Sequence, residues 1–125
     1  MSFIISILAF IVAIGILVTV HEFGHFIVAR TLGIKVLRFS VGFGKPLYTW
    51  KRRGDSTEYV VAALPLGGYV KMLDEREADV APAELPFAFN RQSLPKRFAV
   101  VLAGPLFNLV FAVFANTTAK RFGKD

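Results

Sequence analysis

The chain contains no cysteine and only two histidines among its 125 residues. The absence of cysteine excludes a disulfide framework, a cysteine-ligated iron–sulfur cluster and a cysteine nucleophile. The first 20 residues also contain no Asp, Glu, Lys or Arg. Because they lack a basic n-region and a small-residue cleavage site as well, they do not resemble a removable signal peptide.

Apolar residues are abundant instead. The chain is 54% hydrophobic and contains thirteen Phe. Two apolar runs, at residues 3–20 and 98–115, each reach the length of about 18 residues that a transmembrane helix requires. The first run continues through residues 26–29. The composition therefore predicts a multi-pass membrane protein rather than a small soluble domain. The predicted partner of its apolar helices is the membrane bilayer.

The distribution of charge predicts an orientation for these two helices. Twelve Lys and Arg lie between positions 30 and 97, and none lies in the first 20 residues. The positive-inside rule then places the connecting segment in the cytoplasm and the amino terminus outside. Although the net charge is +6, a nucleic-acid partner is not predicted. The basic residues flank apolar spans and are mixed with seven acids, and their longest run is residues 51–53.

Residues 21–25 read His-Glu-Phe-Gly-His, the H-E-x-x-H pattern of zinc hydrolases, and use both histidines of the chain. On a helix, His21 and His25 project from nearly the same face, one turn apart, so that their ring nitrogens can converge on one zinc ion. Glu22, one position further round, can act as the general base that takes a proton from the attacking water. The alternative is a helix with three ordinary polar groups at a membrane surface.

Two depths for this motif are compatible with the sequence. The helical pattern of residues 3–30 extends about 42 Å, which exceeds a hydrocarbon core of about 30 Å. Either residues 3–20 span the bilayer and the motif lies among the headgroups, or Arg30 marks the interface and His25 lies about 7.5 Å inside it. The apolar residues 26–29 favour the second arrangement, in which ionisable groups need a protein-lined, water-accessible cavity.

After Gly33 the pattern becomes that of β-structure. Residues 37–43 alternate apolar and small or polar side chains, and residues 47–51, 57–64 and 69–73 are further strand candidates. Gly54-Asp55 indicates a hairpin tip. The segment is predicted to be a small antiparallel sheet beside the membrane. It is either a cytoplasmic cap or a surface that pairs an exposed edge with an extended substrate by β-augmentation.

The fold class predicted is thus a membrane protein, α-helical with β, whose two transmembrane helices are joined by an antiparallel β-hairpin segment. Ser93 is a suitable N-cap for the second helix. Within that helix, Gly104 and Pro105 indicate a kink or close packing, and Asn108 is a buried amide that needs a partner. The predicted parts are residues 1–31 (first helix), 34–73 (β segment), 74–92 (interfacial linker), 93–116 (second helix) and 117–125 (a polar tail, expected to be an artificial or truncated end).

Four motifs in a fixed order carry a resemblance: HEFGH at residues 21–25, FSVGFG at 39–44, LGGYVKM at 66–72 and AGPLFN at 103–108. Over residues 3–115 the chain resembles the site-2 proteases, a family of intramembrane zinc metalloproteases, and above all bacterial members of the inner membrane. The resemblance implies cleavage of single-span membrane proteins such as an anti-sigma factor. It also implies that His21 and His25 bind zinc and that Glu22 activates water.

The resemblance further implies that the β segment is a membrane-reentrant loop that handles substrate, and it adds the second helix to the wall of the catalytic core. The residues expected to handle substrate on these grounds are Phe39, Gly42, Phe43, Gly67, Gly68, Tyr69 and Asn108.

The sequence also departs from the family pattern. Family members take a third zinc ligand from an Asp in a later L-D-G helix, and Leu73-Asp74-Glu75, in a connector, is not its equivalent. The periplasmic PDZ domains are missing too. We therefore expect an inactive amino-terminal fragment of an active protease, with weak zinc binding. The alternatives are a soluble H-E-x-x-H protease and a non-catalytic membrane module whose β segment binds partner helices or tails.

Overall fold

A computed structural model describes residues 2–123, and in it two long helices flank a β-sheet. The order of elements is α1 (Phe3–Thr31), β1 (Val36–Lys51), β2 (Glu58–Met72), two short 3-10 helices (Pro82–Phe87 and Phe89–Arg91) and α2 (Leu94–Gly123). Two apolar helices joined by an antiparallel β segment were predicted, and this part of the prediction is confirmed.

Helix α1 is defined by signals at both of its ends. Ser2 is its N-cap, because the Ser2 Oγ accepts a hydrogen bond of 3.1 Å from the backbone N–H of Ile5. At the other end, Gly33 has φ +84°, a left-handed conformation that only glycine adopts readily after a helix. Arg30 in the last turn complements the partial negative charge of the helix carboxyl end.

The sheet is built from two long strands, β1 and β2, which pair antiparallel except where residues 38–41 run alongside residues 58–61 in the same direction. The register is double in the first half of β1, where Phe39 pairs with both Val70 and Tyr59. Each strand therefore bends and contributes two arms to the sheet. The first arm of β1 lies in the middle, between the two arms of β2.

The bends fall where the sequence predicted breaks between separate strands. Gly42 and Gly44 adopt φ +92° and φ +82° and turn β1 sharply. The separate strand candidates 57–64 and 69–73 are one strand, β2, which runs through Pro65 and the Gly67-Gly68 pair without a break. The four strand candidates are thus two bent strands, because glycine accommodates the bend and Pro65 lies at an exposed position.

The sheet extends along α1. At one end, the Arg30 guanidinium donates to Asp55 Oδ2 over 3.1 Å, which ties the turn between the strands to the end of the helix. At the other end, a Cβ added at Gly15 would lie 3.3 Å from the carbonyl oxygen of Pro65. Arg30 and Gly15 are separated by about 22 Å of helix. The tip of the sheet therefore lies beside the apolar middle of α1.

Asp55 makes the attachment of this turn dependent on pH. The hydrogen bond from the backbone N–H of Thr57 lowers the pKa of Asp55 to about 2, and the Tyr59 hydroxyl and the Arg30 guanidinium contribute. A carboxylate with a lowered pKa stabilises the fold above its unfolded pKa of about 3.9, and this contribution is lost as the pH falls through about 2.

We expect the difference in free energy of unfolding between the wild type and Asp55→Asn to shrink as the pH is lowered from about 4 to about 2. Chemical denaturation at a series of pH values measures it. A difference that is constant over this range would show that Asp55 has an ordinary pKa.

The buried core lies where α1, the sheet and α2 meet. Phe26 packs edge-to-face on Phe39, with ring centroids 5.0 Å apart, and Val100 of α2 is 1% exposed. Aromatic pairs of this geometry add about 0.5–1.5 kcal/mol to the burial of their surface. The cluster consists of Phe26, Ala29, Ile34, Val36, Phe39 and Val100.

The two helices approach each other closely at Gly24 of α1, beside this core. A Cβ at Gly24 would lie 2.6 Å from the carbonyl oxygen of Ala103 and 2.9 Å from the Phe107 ring carbon Cγ, so that a larger residue cannot fit without displacing α2. Small residues at such a contact are typical of helices that pack in membranes. α2 continues to Gly123, beyond the predicted end at residue 116, because residues 117–121 are compatible with helix. The end of the predicted tail, residues 124–125, lies outside the described residues.

Candidate metal centre

The two histidines of the H-E-x-x-H motif point at the same place. His21 and His25 are one turn apart on α1, and their Nε2 atoms are 3.1 Å apart. The Nδ1 atom of each ring contacts a residue of α2. His25 Nδ1 lies 2.7 Å from the carbonyl oxygen of Val100, and His21 Nδ1 lies 3.2 Å from Asn108 Nδ2. The spacing predicted from the sequence thus gives a converging pair of imidazoles.

This pair fits a zinc ion. Two nitrogen ligands at 2.0–2.1 Å from a tetrahedral metal are about 3.3 Å apart, close to the observed separation of the Nε2 atoms. Within residues 2–123, no cluster of three or more His, Cys, Asp or Glu side chains could hold a metal. A catalytic zinc site has three protein ligands and one open position. Among the described residues, the two imidazoles are therefore one ligand short of such a site.

Gly104 provides the space in front of the imidazoles. A Cβ at this position would lie 2.5 Å from His25 Nε2 and 2.7 Å from His21 Nε2. Both distances are below the closest approach of real Cβ atoms, so any side chain here would push against the two converging Nε2 atoms. The close packing expected at Gly104 and Pro105 is thus directed at the histidines.

Glu22 follows His21 on α1 and is half-buried. The residue was predicted to be the general base. This role requires access to water, and the partial exposure of the residue is compatible with it. The catalytic role itself stays a prediction.

Phe39 and Tyr69, both expected to handle substrate, differ in exposure: Phe39 is buried and Tyr69 lines an open cleft. Phe39 is 8% exposed and packs between the Phe23 and Phe26 rings, so that little of its surface is left for a substrate. Its packing joins the sheet to α1. Tyr69 lies at the edge of the sheet, where its hydroxyl accepts a hydrogen bond from Arg38 and its side chain lines an open cleft of about 390 Å³.

Four more of these seven residues lie around the bend of the sheet: Gly42, Phe43, Gly67 and Gly68. Gly42 and Gly68 are at close crossings of backbone: a Cβ at Gly68 would lie 2.6 Å from the carbonyl oxygen of Ser40. The Phe43 ring lies over Gly67, since a Cβ at Gly67 would overlap the Phe43 ring carbons Cε2 and Cζ. Phe43 itself is exposed. These glycines shape the tip of the sheet, and Phe43 is the side chain that the tip presents.

The contact between Gly67 and Phe43 can be tested. Gly67→Ala is expected to displace the Phe43 ring and to destabilise the protein by about 1–3 kcal/mol, the usual cost of overpacking. In a Phe43→Ala background the same substitution should cost much less, because the ring is gone. A double-mutant cycle by denaturant unfolding measures this coupling. Additive effects would mean that the two residues do not touch.

One contact of this site has no signal in the sequence. Val100 holds His25 through its backbone carbonyl, and no sequence motif marks a position that acts through its main chain. Asn108 was marked by the sequence, because a buried amide in an apolar helix is expected to need a hydrogen-bond partner. The structure gives it one, His21.

Comparison with known proteins agrees with this geometry. The profile of peptidase family M50 matches residues 9–122. A candidate zinc metalloprotease of Neisseria meningitidis is 58% identical over 94% of this chain, and the regulator of sigma-E protease RseP of Escherichia coli is 55% identical over 92%. A candidate zinc metalloprotease of Vibrio cholerae is 61% identical over 86%.

These relatives are much longer proteins. The matched regions cover 26% of the Neisseria protein, 25% of RseP and 24% of the Vibrio protein. The chain thus spans about a quarter of the length of the curated relatives it matches. The resemblance to site-2 proteases that the four motifs indicate is confirmed.

Proposed function

Because the chain belongs to peptidase family M50, we propose that it supplies the amino-terminal part of the active site of an intramembrane zinc metalloprotease. The observation that carries this proposal is the convergence of the His21 and His25 Nε2 atoms, 3.1 Å apart, between two long apolar helices. The names of the relatives support zinc as the metal.

Exposure of the helices supports a membrane location. In the most apolar 18-residue stretch of α1 no residue is buried, and in that of α2 17% of the residues are buried. A core helix of a soluble protein would be mostly buried, whereas these apolar surfaces face outwards, as lipid-facing surfaces do. In α2, residues 98–119 separate Arg97 from Lys120 by about 35 Å, close to the thickness of a hydrocarbon core.

Distance along each helix from its basic residue at the interface also gives a depth for the histidines. Gly104, which faces both rings, lies seven residues and about 10 Å from Arg97 along α2. His25 lies about 7.5 Å from Arg30 along α1. The two helices therefore agree in supporting the deeper of the two arrangements, with the histidines inside the cytoplasmic leaflet.

The roles of the residues follow from their chemistry. His21 and His25 donate the two imidazole nitrogens, and Glu22 takes a proton from the attacking water and passes it to the leaving amine. Zinc, when bound, supplies Lewis-acid chemistry that makes water a better nucleophile and polarises the peptide carbonyl. Gly104 keeps the space before the two nitrogens open.

The ligand set needs a third donor from outside the described residues. With two imidazoles this chain binds zinc weakly by itself and does not cleave peptides. In the complete protein the substrate is a single-span membrane protein, such as an anti-sigma factor. The protein lies in a bacterial inner membrane, with its amino terminus in the periplasm and the sheet on the cytoplasmic side.

The sheet handles the substrate in this proposal. Its tip lies beside the apolar middle of α1, which supports a segment that re-enters the membrane. Backbone groups at a sheet edge cannot face lipid unpaired, and an extended substrate would satisfy them by β-augmentation. Phe43 and Tyr69 are the side chains best placed to contact it, since Phe39 is buried.

A second candidate is a non-catalytic membrane module that binds partner helices or extended tails. The cleft of about 390 Å³ along the sheet edge, lined by Tyr69, Lys71 and Met72, favours it. A module of this kind needs neither Glu22 nor the histidines for binding. Glu22→Gln would leave its function unchanged.

Since the chain has no cysteine, single-cysteine labelling tests the membrane location directly. Arg52 in the turn of the sheet and Leu109 on α2 are both exposed in the structure, Leu109 by 60%. In inverted membrane vesicles, an impermeant maleimide should label Arg52→Cys and not Leu109→Cys. Equal labelling of the two variants would contradict a membrane-spanning α2.

A further inference from the structure

Three contacts in series fix the hydrogen positions of the histidine pair. The carbonyl oxygen of Val100 can only accept, so His25 Nδ1 must be the donor, and in a neutral ring His25 Nε2 is then an acceptor. His21 Nε2, 3.1 Å away, must therefore donate. His21 Nδ1 is left as an acceptor, and it faces Asn108 Nδ2, which donates. Without a metal, the network is consistent with a single tautomer of His21.

A metal requires the opposite tautomer. Both Nε2 atoms must present lone pairs to the ion, and the hydrogen of His21 then lies on Nδ1. An Nδ1–H needs an acceptor, which the amide nitrogen of Asn108 cannot be. The acceptor is on the same side chain: Asn108 Oδ1 is buried and has no hydrogen-bond partner in the structure.

We propose that Asn108 is a positioning residue that sets the tautomer of His21, and that its amide rotates by half a turn when the metal binds. This inference rests on the metal site of the proposed function, and it replaces the substrate-handling role expected for Asn108. In one orientation Nδ2 donates to His21 Nδ1, and in the other Oδ1 accepts from it. All groups stay neutral, because His21 gives up the hydrogen on Nε2 and takes up one on Nδ1, so that its net charge does not change.

Asparagine is suited to this role because its two ends are nearly equal in shape and opposite in hydrogen bonding. In either orientation one end faces His21, and the other occupies the buried position where Oδ1 lies now. The orientations therefore differ mainly in the tautomer that they favour. Leucine has a similar shape and favours neither tautomer, whereas aspartate can only accept and favours the metal-binding one.

The chain in bicelles, labelled with 15N in its histidines, tests this at about pH 8.5, two units above the ordinary imidazole pKa of about 6.5. Without metal, we expect a hydrogen on Nε2 of His21 in the wild type and on Nδ1 in Asn108→Asp. Asn108→Leu should show a mixture. His25, held by a backbone carbonyl, should keep its hydrogen on Nδ1 in all three and serves as the internal check of folding.

Zinc titration provides the second arm, with Asn116→Leu as the matched control, because Asn116 is exposed on the same helix. Asn108→Leu should weaken zinc binding by about 10- to 100-fold, the usual effect of losing a group that orients a ligand. Asn108→Asp and Asn116→Leu should stay near the wild type. In the wild type, zinc should move the His21 hydrogen to Nδ1.

The outcomes separate this inference from the proposed function. If zinc binds Asn108→Leu and the wild type equally, or if the metal-free tautomer of His21 is the same in all Asn108 variants, the role of Asn108 is overturned. If zinc perturbs neither histidine in any variant, the proposed metal site fails. The metal-free spectra still decide whether Asn108 sets the tautomer.

Discussion

Glu22→Gln is expected to abolish proteolysis, with a loss of about 10²- to 10⁴-fold, the contribution of a general base. Glutamine preserves the shape of the side chain but cannot take a proton from water. Because the chain covers about a quarter of its relatives, the assay needs a protein that contains the whole site. A chimera in which this chain replaces the matching part of RseP of Escherichia coli, 55% identical to it, is suitable.

The control is zinc content. Glu22 is not a ligand in this account, so the Glu22→Gln chimera should retain zinc and membrane insertion while it loses activity. Cleavage of a membrane substrate at the unchanged rate would remove Glu22 from the mechanism. Loss of both zinc and activity would instead assign Glu22 to the metal ligands.

Gly104→Ala is expected to impair metal binding through a single methyl group. Its Cβ would lie 2.5 Å from His25 Nε2 and 2.7 Å from His21 Nε2, the two atoms proposed to bind the metal. We expect zinc affinity to fall by at least about 10- to 100-fold, as in other disturbances around metal ligands, and proteolysis to fall with it.

Helix stability makes this prediction specific. Alanine favours a helix interior over glycine by about 1 kcal/mol, so Gly104→Ala should not weaken α2 itself. Ala112→Val, on the exposed face of the same helix, is the matched control and should keep its zinc. Zinc affinity measured with a competing chelator decides the matter. Wild-type affinity in Gly104→Ala would mean that the space before the histidines is not needed.

The local patterns in the sequence were sufficient to predict the helices, the β segment and the histidine pair. Spacing of four residues on a helix determines that His21 and His25 share a face, and apolar length determines the helices. The depth of the motif was open in the sequence, because α1 is longer than a bilayer is thick. The packing of α2, with Gly104 against both rings, gives a second, independent distance from which the depth of the motif follows.

Contacts between distant segments were not predictable in the same way. The sheet bends through Gly42 and Gly67 rather than ending there, since a glycine permits both a break and a bend, and the partner strand decides which. Phe39 belonged to a motif of the resemblance and was expected to meet substrate, yet its ring fills the core beside Phe26. A motif marks a position without stating which of its neighbours the side chain contacts.

The most direct test of the account is the zinc content of the chimera with RseP, purified from membranes in detergent. We predict about one zinc per chain in the wild type, with X-ray absorption showing two imidazole nitrogens at about 2.0–2.1 Å, and no zinc when His21 and His25 are both replaced by Ala. Stoichiometric zinc in the double variant would contradict the assignment of this histidine pair as the metal site.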